Sequence, residues 1–334
     1  MDDVRGWYAA TTLALGERTG LLEALLSGGG TAAGLAARAR VDRRIATAWA
    51  DAMVAAGYAH SADGSYTPDE DAVGPLRGGF PFDLRAVVEF LAAAGSMFPR
   101  VETAFRDGAG IGSTEFQVAL GDLPTRISTP MYRMFLVDDW IGSHPAVMAA
   151  MRAGVDVAEI GPGDGVALRH LGSAFPTSRF VGYDLDALQV ERGNVAAQRD
   201  GLVNVRLAVA DGPLPQGAFD VVCIFDAFHH FTRPGDVLDD VRSALRDGGC
   251  LLLAEPALTG DPNVDAAADP TAIITYGGDL VYCLQEGLSD GGAGLGATFG
   301  GPALRRLLAD HGFAVEATHV SPVGYEVLRA VPVR

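Results

Sequence analysis

Apolar residues recur at helical spacing through GWYAATTLALGERTGLLEALLSGGG (6–30), where three glycines stop them. TAAGLAARA (31–39) opens on a threonine suited to cap a helix. DRRIATAWADAMVAAG (42–57) opens on an aspartate and ends at Gly57. YAHSADGSYTP (58–68) then alternates around Asp63-Gly64, a strong hairpin signal. Helix, helix, helix, hairpin is a winged-helix pattern. Residues 76–150 read as connecting helices, with an aromatic-rich stretch, MYRMFLVDDWIGSHPAVMAAM (131–151). From 155 the pattern changes to short apolar runs between helical segments: VDVAEIG (155–161), RFVGYD (179–184), VNVRLAVAD (203–211), FDVVCIFDA (219–227), GCLLLAEP (249–256), then VEATHVSP and YEVLRAVP. Runs that are apolar on both faces imply a mostly parallel sheet covered by helices. The expected fold is therefore α/β: a seven-stranded Rossmann-like sheet over 151–334, a winged-helix or dimerisation domain over 1–95 and connecting helices over 96–150. GLSDGGAGLGATFGG (287–301) reads as a flexible loop.

The 334 residues, 49% apolar and 20% charged, suffice for two buried cores. The net charge of −17 argues against a grip on nucleic-acid phosphates. Arg43 and Arg44 of the third helix are matched by Asp42 and Asp51, and the hairpin runs into acidic PDED (68–71), so a structural or dimerising role outweighs DNA binding. The absence of any lysine removes Schiff-base chemistry, pyridoxal phosphate and a P-loop lysine together. Cys223, Cys250 and Cys283 are far apart, contain no CxxC pair and read as reduced and inert. The chain opens without a basic segment leading into an apolar one, and no window reaches about 18 uninterrupted apolar residues, so a cytoplasmic location is expected.

In parallel sheets ligands bind at the carboxyl ends of the strands. The first strand of the second half ends in AEIGPGDG, with Gly161, Gly163 and Gly165 free to turn tightly beside a ligand. Val166 stands where a dinucleotide fingerprint needs its third glycine. Glu159 precedes the loop by two positions, where it would repel a pyrophosphate and welcome an ammonium. Asp184 ends the next strand and is placed to accept from ribose hydroxyls; Asp211 ends the third and could accept from the adenine amine. These acids suit S-adenosylmethionine. Leu185, Gly212, Phe225 and Asp226 flank them as further expected cofactor contacts.

EIGPGDG, YDLD (183–186), VAD (209–211) and FDVVCIFDAFHH (219–230) resemble the successive motifs of class I S-adenosylmethionine-dependent methyltransferases. LALGERTGLLEAL (13–25) and RLLADHGFAVEATHVSP (306–322) resemble the dimerisation domain and last helix and strand of their small-molecule O-methyltransferase group. Pro162 and Asp164 inside the loop are a tolerated departure. The resemblance implies a homodimer that methylates a hydroxyl of a small specialised metabolite. It implies His229 as general base with Glu255 orienting it, and a neutral imidazole titrates near ~6.5, in a suitable range. Tyr132, Phe135, Trp140, His230, Tyr276 and Tyr282 are the candidates for lining the acceptor pocket.

Two alternatives stay open. The fold could use the bound cofactor for a cyclisation or decarboxylation without methyl transfer. It could also hold a metal and methylate carbon: iron-binding relatives use a histidine, its neighbour and a third histidine before the last helix. No histidine falls between 231 and 310 here, so a metal would have to recruit Asp226, Glu255 or His144, and none is expected.

Overall fold

The computed structural model describes residues 1–333. It divides into two compact units, one of Met1–Met97 with Ala119–Pro130, the other of Phe98–Val118 with the chain from Met131 onward.

In the first unit the apolar stretch expected as one helix is two, α1 (Asp2–Thr19) and α2 (Leu21–Leu26). Gly20 divides them: it takes the left-handed φ of 78°, and its N–H bonds back to Glu17 O. Strand β1 (Gly30–Thr31) leads into α3 (Ala32–Ala39), whose first turn is capped by Thr31 Oγ1 accepting from Gly34 N–H at 3.2 Å. Asp42 likewise caps α4 (Arg43–Ala55), accepting from Arg44 N–H at 2.9 Å. The hairpin β2 (Ala59–Ala62) and β3 (Ser65–Pro68) turns at Asp63 and Gly64, with φ of 50° and 74°. Two successive positive φ values are what a type I′ turn requires, and this is why Asp-Gly is found there. Strand β1 adds to the free edge of β3, and Leu22, Leu25, Leu35, Ala46 and Met53 fill the core. The helix Leu84–Ser96 is tied to α1 through Arg85, 2.6 Å from Glu17.

The second unit is built on a seven-stranded sheet of β4 (Asp156–Ile160), β5 (Arg179–Asp184), β6 (Val205–Val209), β7 (Phe219–Phe225), β8 (Leu245–Pro256), β9 (Phe313–Val320) and β10 (Tyr325–Pro332). Their order is β6-β5-β4-β7-β8-β10-β9, with the first five parallel and β10 antiparallel to both its neighbours. The order reverses at β4, which lies between β5 and β7, so a crevice opens at their carboxyl ends. Val222, Ile224, Leu251, Leu253, Phe228 and Leu328 are buried around this centre. Before the sheet, Tyr132–Ile141 winds as a π-helix, closed by Gly142 N–H bonding to Val137 O at 3.0 Å.

The stretch expected as a flexible loop, 287–301, is held by backbone bonds. Ala293 N–H donates to Thr232 O, Gly296 N–H to His229 O and Ala297 N–H to the buried Asp279 carboxylate. Thr298 Oγ1 donates to the same carboxylate at 2.9 Å. Its glycines serve close approach: a Cβ on Gly296 would stand 2.5 Å from Asp279 Oδ1.

Gly182, in the middle of β5, shows how tightly the loop after β4 is seated. A Cβ there would meet Pro162 Cγ at 2.8 Å and Leu168 Cδ2 at 3.0 Å. Gly182→Val is expected to destabilise the chain by about 1–3 kcal/mol in urea unfolding, the usual cost of overpacking. An unchanged midpoint would mean that the loop yields.

Candidate cofactor and acceptor site

Strands β4, β5 and β7 deliver their carboxyl-end residues to one edge. Gly161, Gly163 and Gly165 all have left-handed φ, at 70°, 57° and 74°. A Cβ at Gly161 would stand 3.1 Å from Ala227 and Phe231, and one at Gly165 3.1 Å from Leu207, tight contacts added to a backbone conformation that other side chains rarely adopt. Asp184 Oδ2 accepts from Gly163 N–H at 2.8 Å and Oδ1 from Asp186 N–H at 2.9 Å. Its carboxylate thus fixes the loop's conformation while lone pairs remain for further donors. Burial pushes its pKa up against the pull of these bonds.

Glu159 is almost completely buried, and its Oε2 has no hydrogen-bond partner among the described residues. Burial, helped by the nearby Asp184 charge, pushes its pKa up to about 8. An acid so placed is a site for a cation or for a donor that the chain itself does not provide. Asp211 and Gly212 are exposed beyond the end of β6, and Leu185 is exposed beside Asp184. Phe225 points into the core, 5.7 Å from Trp140. The donor set fits S-adenosylmethionine: a buried orphan carboxylate for its ammonium, a glycine cradle for its chain and Asp184 for its ribose.

On the other side of the edge, β7 ends at Asp226, whose φ of 54° turns the chain into a single helical turn, Phe228–His230. His229 Nδ1 lies 2.5 Å from Glu255 Oε2 at the end of β8, and Glu255 Oε1 accepts from Phe228 N–H at 2.9 Å. Both residues are 2% exposed. Burial alone would lower the His229 pKa, but the Glu255 charge and the bonds from Glu255 and Cys283 raise it well above the usual value. His230 is pushed up to about 10: burial and the His229 charge oppose protonation, and Cys283 and Glu286 outweigh them. Cys283 is held below the usual thiol range, since the two histidines overcome its burial.

The structure brings Tyr282 to this cluster, its ring 5.0 Å from His230 and edge-on to Phe116. The Tyr132 hydroxyl donates to Phe225 O at 3.2 Å. Trp140 has no exposed surface; it packs among Tyr132, Phe225 and Tyr325 and backs the wall instead of facing a ligand. Phe135 is half-buried on the same helix. Tyr276 spends its hydroxyl on the buried Asp265, at 2.8 Å. Cys283 and Glu286 were not among the sequence candidates, although their i, i+3 spacing was visible in YCLQE. Of the donors the sequence offered a metal, His144 lies beside His319 and Arg329, and Glu255 is occupied by His229 and Phe228.

Residues 158–251 match the family described as a methyltransferase domain. The chain is 29% identical over 146 residues to the 27-O-demethylrifamycin SV methyltransferase of Amycolatopsis mediterranei, covering 42% of this chain and 53% of that one. It is 29% identical over 170 residues to a 37.1 kDa protein of transposon TN4556 from Streptomyces fradiae, covering 49% and 45%. The chain thus spans about half the length of these curated relatives. Among solved structures, the mitomycin 7-O-methyltransferase MmcR is similar with a TM-score of 0.72 at 15% identity, covering 99% of this chain and 96% of that one. The neocarzinostatin O-methyltransferase NcsB1, with S-adenosylmethionine and a naphthoic acid, gives 0.67 at 19%, covering 98% and 96%. The match to a methyltransferase domain is confined to residues 158–251, and the chain as a whole shares the fold of these solved O-methyltransferases.

A carboxyl whose pKa rises on folding is destabilising once pH exceeds its unfolded value, and the loss grows until the folded value is reached. For Glu159 that window runs from ~4.3 in the unfolded chain to about 8. Glu159→Gln is therefore expected to raise the melting temperature of the cofactor-free chain at pH 8 and to change it little at pH 5. Equal shifts at both pH values would refute the buried-acid assignment.

Proposed function

We propose that the chain transfers the methyl group of S-adenosylmethionine to a hydroxyl of a small, partly apolar specialised metabolite, with His229 removing the hydroxyl proton. The observation that carries this reading is the buried His229–Glu255 pair, 2.5 Å apart, at the strand edge that also bears the unpartnered Glu159 carboxylate. Bound S-adenosylmethionine supplies an electrophilic sulfonium methyl. Glu159 takes the cofactor's ammonium, Asp184 accepts from the ribose hydroxyls and Asp211, on the exposed rim, from the adenine amine. Glu255 holds the Nδ1–H tautomer of His229, which leaves the Nε2 lone pair for the acceptor proton. His230 and Tyr282 then border the acceptor. The names of the rifamycin and mitomycin methyltransferases support the substrate class.

Only neutral His229 accepts a proton, and its pKa is raised, so turnover is expected to climb with pH through a value above the ordinary histidine range. Glu255→Gln removes the charge that stabilises the imidazolium and is expected to move that rise toward acid while lowering the plateau. His229→Ala is expected to lose about 10²–10⁴ in turnover on a hydroxynaphthoate acceptor. Full turnover in that variant would remove the base. In calorimetry, Asp184→Ala is expected to weaken S-adenosylmethionine and S-adenosylhomocysteine at least ~10-fold, the loss of one charge-assisted bond or more; unchanged affinity would break the site assignment.

A cytoplasmic homodimer completes the proposal. The exposed Trp7, Tyr8 and Leu15 of α1 support an association surface there, and no helix among the described residues is long and apolar enough to cross a membrane. Light scattering should give twice the chain mass, and Trp7→Glu with Leu15→Glu should return it to one; a monomeric parent chain would exclude the dimer.

A further inference from the structure

His229, His230 and Cys283 bring three ligand atoms within 4.8 Å of one another. The two imidazoles lie 4.3 Å apart, centroid to centroid, and Cys283 begins the helix Cys283–Leu288 that packs against their turn. Each ring has a carboxylate beside its Nδ1. Glu255 Oε2 is 2.5 Å from His229 and hydrogen-bonded to it. Glu286 Oε2 is 2.8 Å from His230, close enough for an ion pair though off the line of the ring N–H. Carboxylates at one ring nitrogen are the usual support of a metal-ligating histidine, because they fix the tautomer and raise the basicity of the other nitrogen. In His229 that other nitrogen is Nε2, while for His230, whose Nδ1 makes no hydrogen bond, Glu286 contributes charge alone.

The size and charge of the cluster also fit. Zn²⁺ binds nitrogen at ~2.0–2.1 Å and sulfur at ~2.3 Å, so tetrahedral ligand atoms stand about 3.3–3.6 Å apart. Side-chain movements on the order of 1 Å would bring the three donors from their present separations to that spacing. Glu255, Glu286 and a Cys283 thiolate would more than offset a double positive charge in this half-buried place. One thiolate and two imidazoles disfavour Mg²⁺ and Ca²⁺, which take oxygen ligands.

We infer that His229, His230 and Cys283 form a binding site for one borderline-soft divalent cation of the kind Zn²⁺ represents, with its fourth position open toward the acceptor. A consequence rests on the proposed base role: cation and acceptor proton need the same His229 Nε2 lone pair, so a loaded site stops methyl transfer by that base. Cys283 is the residue that makes this a metal site, because without it the histidine pair has only carboxylates already engaged elsewhere.

The test is a titration of the chelator-treated chain with Co²⁺ and then Zn²⁺. One Co²⁺ per chain is expected, with a thiolate-to-cobalt charge-transfer absorption that Zn²⁺ abolishes by displacement. Cys283→Ser should lose the absorption and weaken Co²⁺ at least ~10-fold, and Glu286→Gln should weaken it ~10–100-fold as a supporting group. Retained S-adenosylmethionine binding in calorimetry establishes that both variants are folded. No stoichiometric Co²⁺ uptake, or an undiminished absorption in Cys283→Ser, overturns the site. Stoichiometric Zn²⁺ should inhibit methyl transfer, and a chelator should restore it. Zn²⁺ bound at full activity overturns the switch and the base together while leaving the site, whereas failure to bind with a normal pH profile removes the site and leaves the base.

Discussion

A carboxylate buried without a counter-charge is the constraint on which the site turns. Glu159 stands at the end of the central strand, almost fully enclosed, with one oxygen unpartnered and a pKa of about 8. Desolvating an acid in this way costs stability that the fold must recover elsewhere. The recovery is visible in the apolar strands beside it: Ala158, Val222, Ile224 and Leu251 have no exposed surface. Asp184 is pushed in the same direction but is steadied by two backbone N–H groups, so it shapes the glycine loop. The edge thus holds acids that favour their neutral forms until a ligand bringing an ammonium and hydroxyl donors stabilises the charge.

Around His229 the polar groups are paired within the chain. Glu255 uses one oxygen on the Phe228 N–H and the other on His229, which locks the turn and the ring together. Reaching that geometry requires Asp226 to adopt a left-handed φ, a strain of about 1–3 kcal/mol for most side chains and less for aspartate. The glycine-rich stretch closes over the same turn through His229 O and Thr232 O, and Asp279 anchors its far end. Rigid placement of the histidines and burial of their partners are therefore one structural fact.

The parts legible in the sequence are those set by local chemistry. Asp63-Gly64, Thr31 and Asp42 act within a few residues of themselves, and the apolar runs were long enough to reveal β5 and β10 at their observed bounds. The acids were singled out because parallel sheets take ligands at their strand ends, and the structure places Glu159 and Asp184 at that edge. Gly20 was missed since an isolated glycine in an apolar stretch is tolerated as often as it breaks a helix. Cys283 was missed for a deeper reason: its meeting with His229 and His230 is made by tertiary packing across more than fifty residues of chain, and no spacing rule carries that distance. Asp279 and the pinned loop escaped for the same reason, because glycine composition reports freedom of the unfolded chain and not the bonds it forms once folded. Trp140 read as a pocket candidate because its segment directly precedes the glycine loop, whereas the aromatic residues of β7 and β10 enclose it.

The central claim is that Glu159 is a protonated acid awaiting a cation, and proton release on cofactor binding measures it directly. Calorimetry of S-adenosylmethionine binding at pH 7, repeated in buffers of different ionisation enthalpy, counts the protons exchanged. Release approaching one proton per chain is expected, since an acid with a pKa of about 8 is mostly protonated at pH 7 and must ionise to meet the ammonium. The same measurement on Glu159→Gln should show that release lost. Binding with no proton exchanged in the parent chain would contradict the claim.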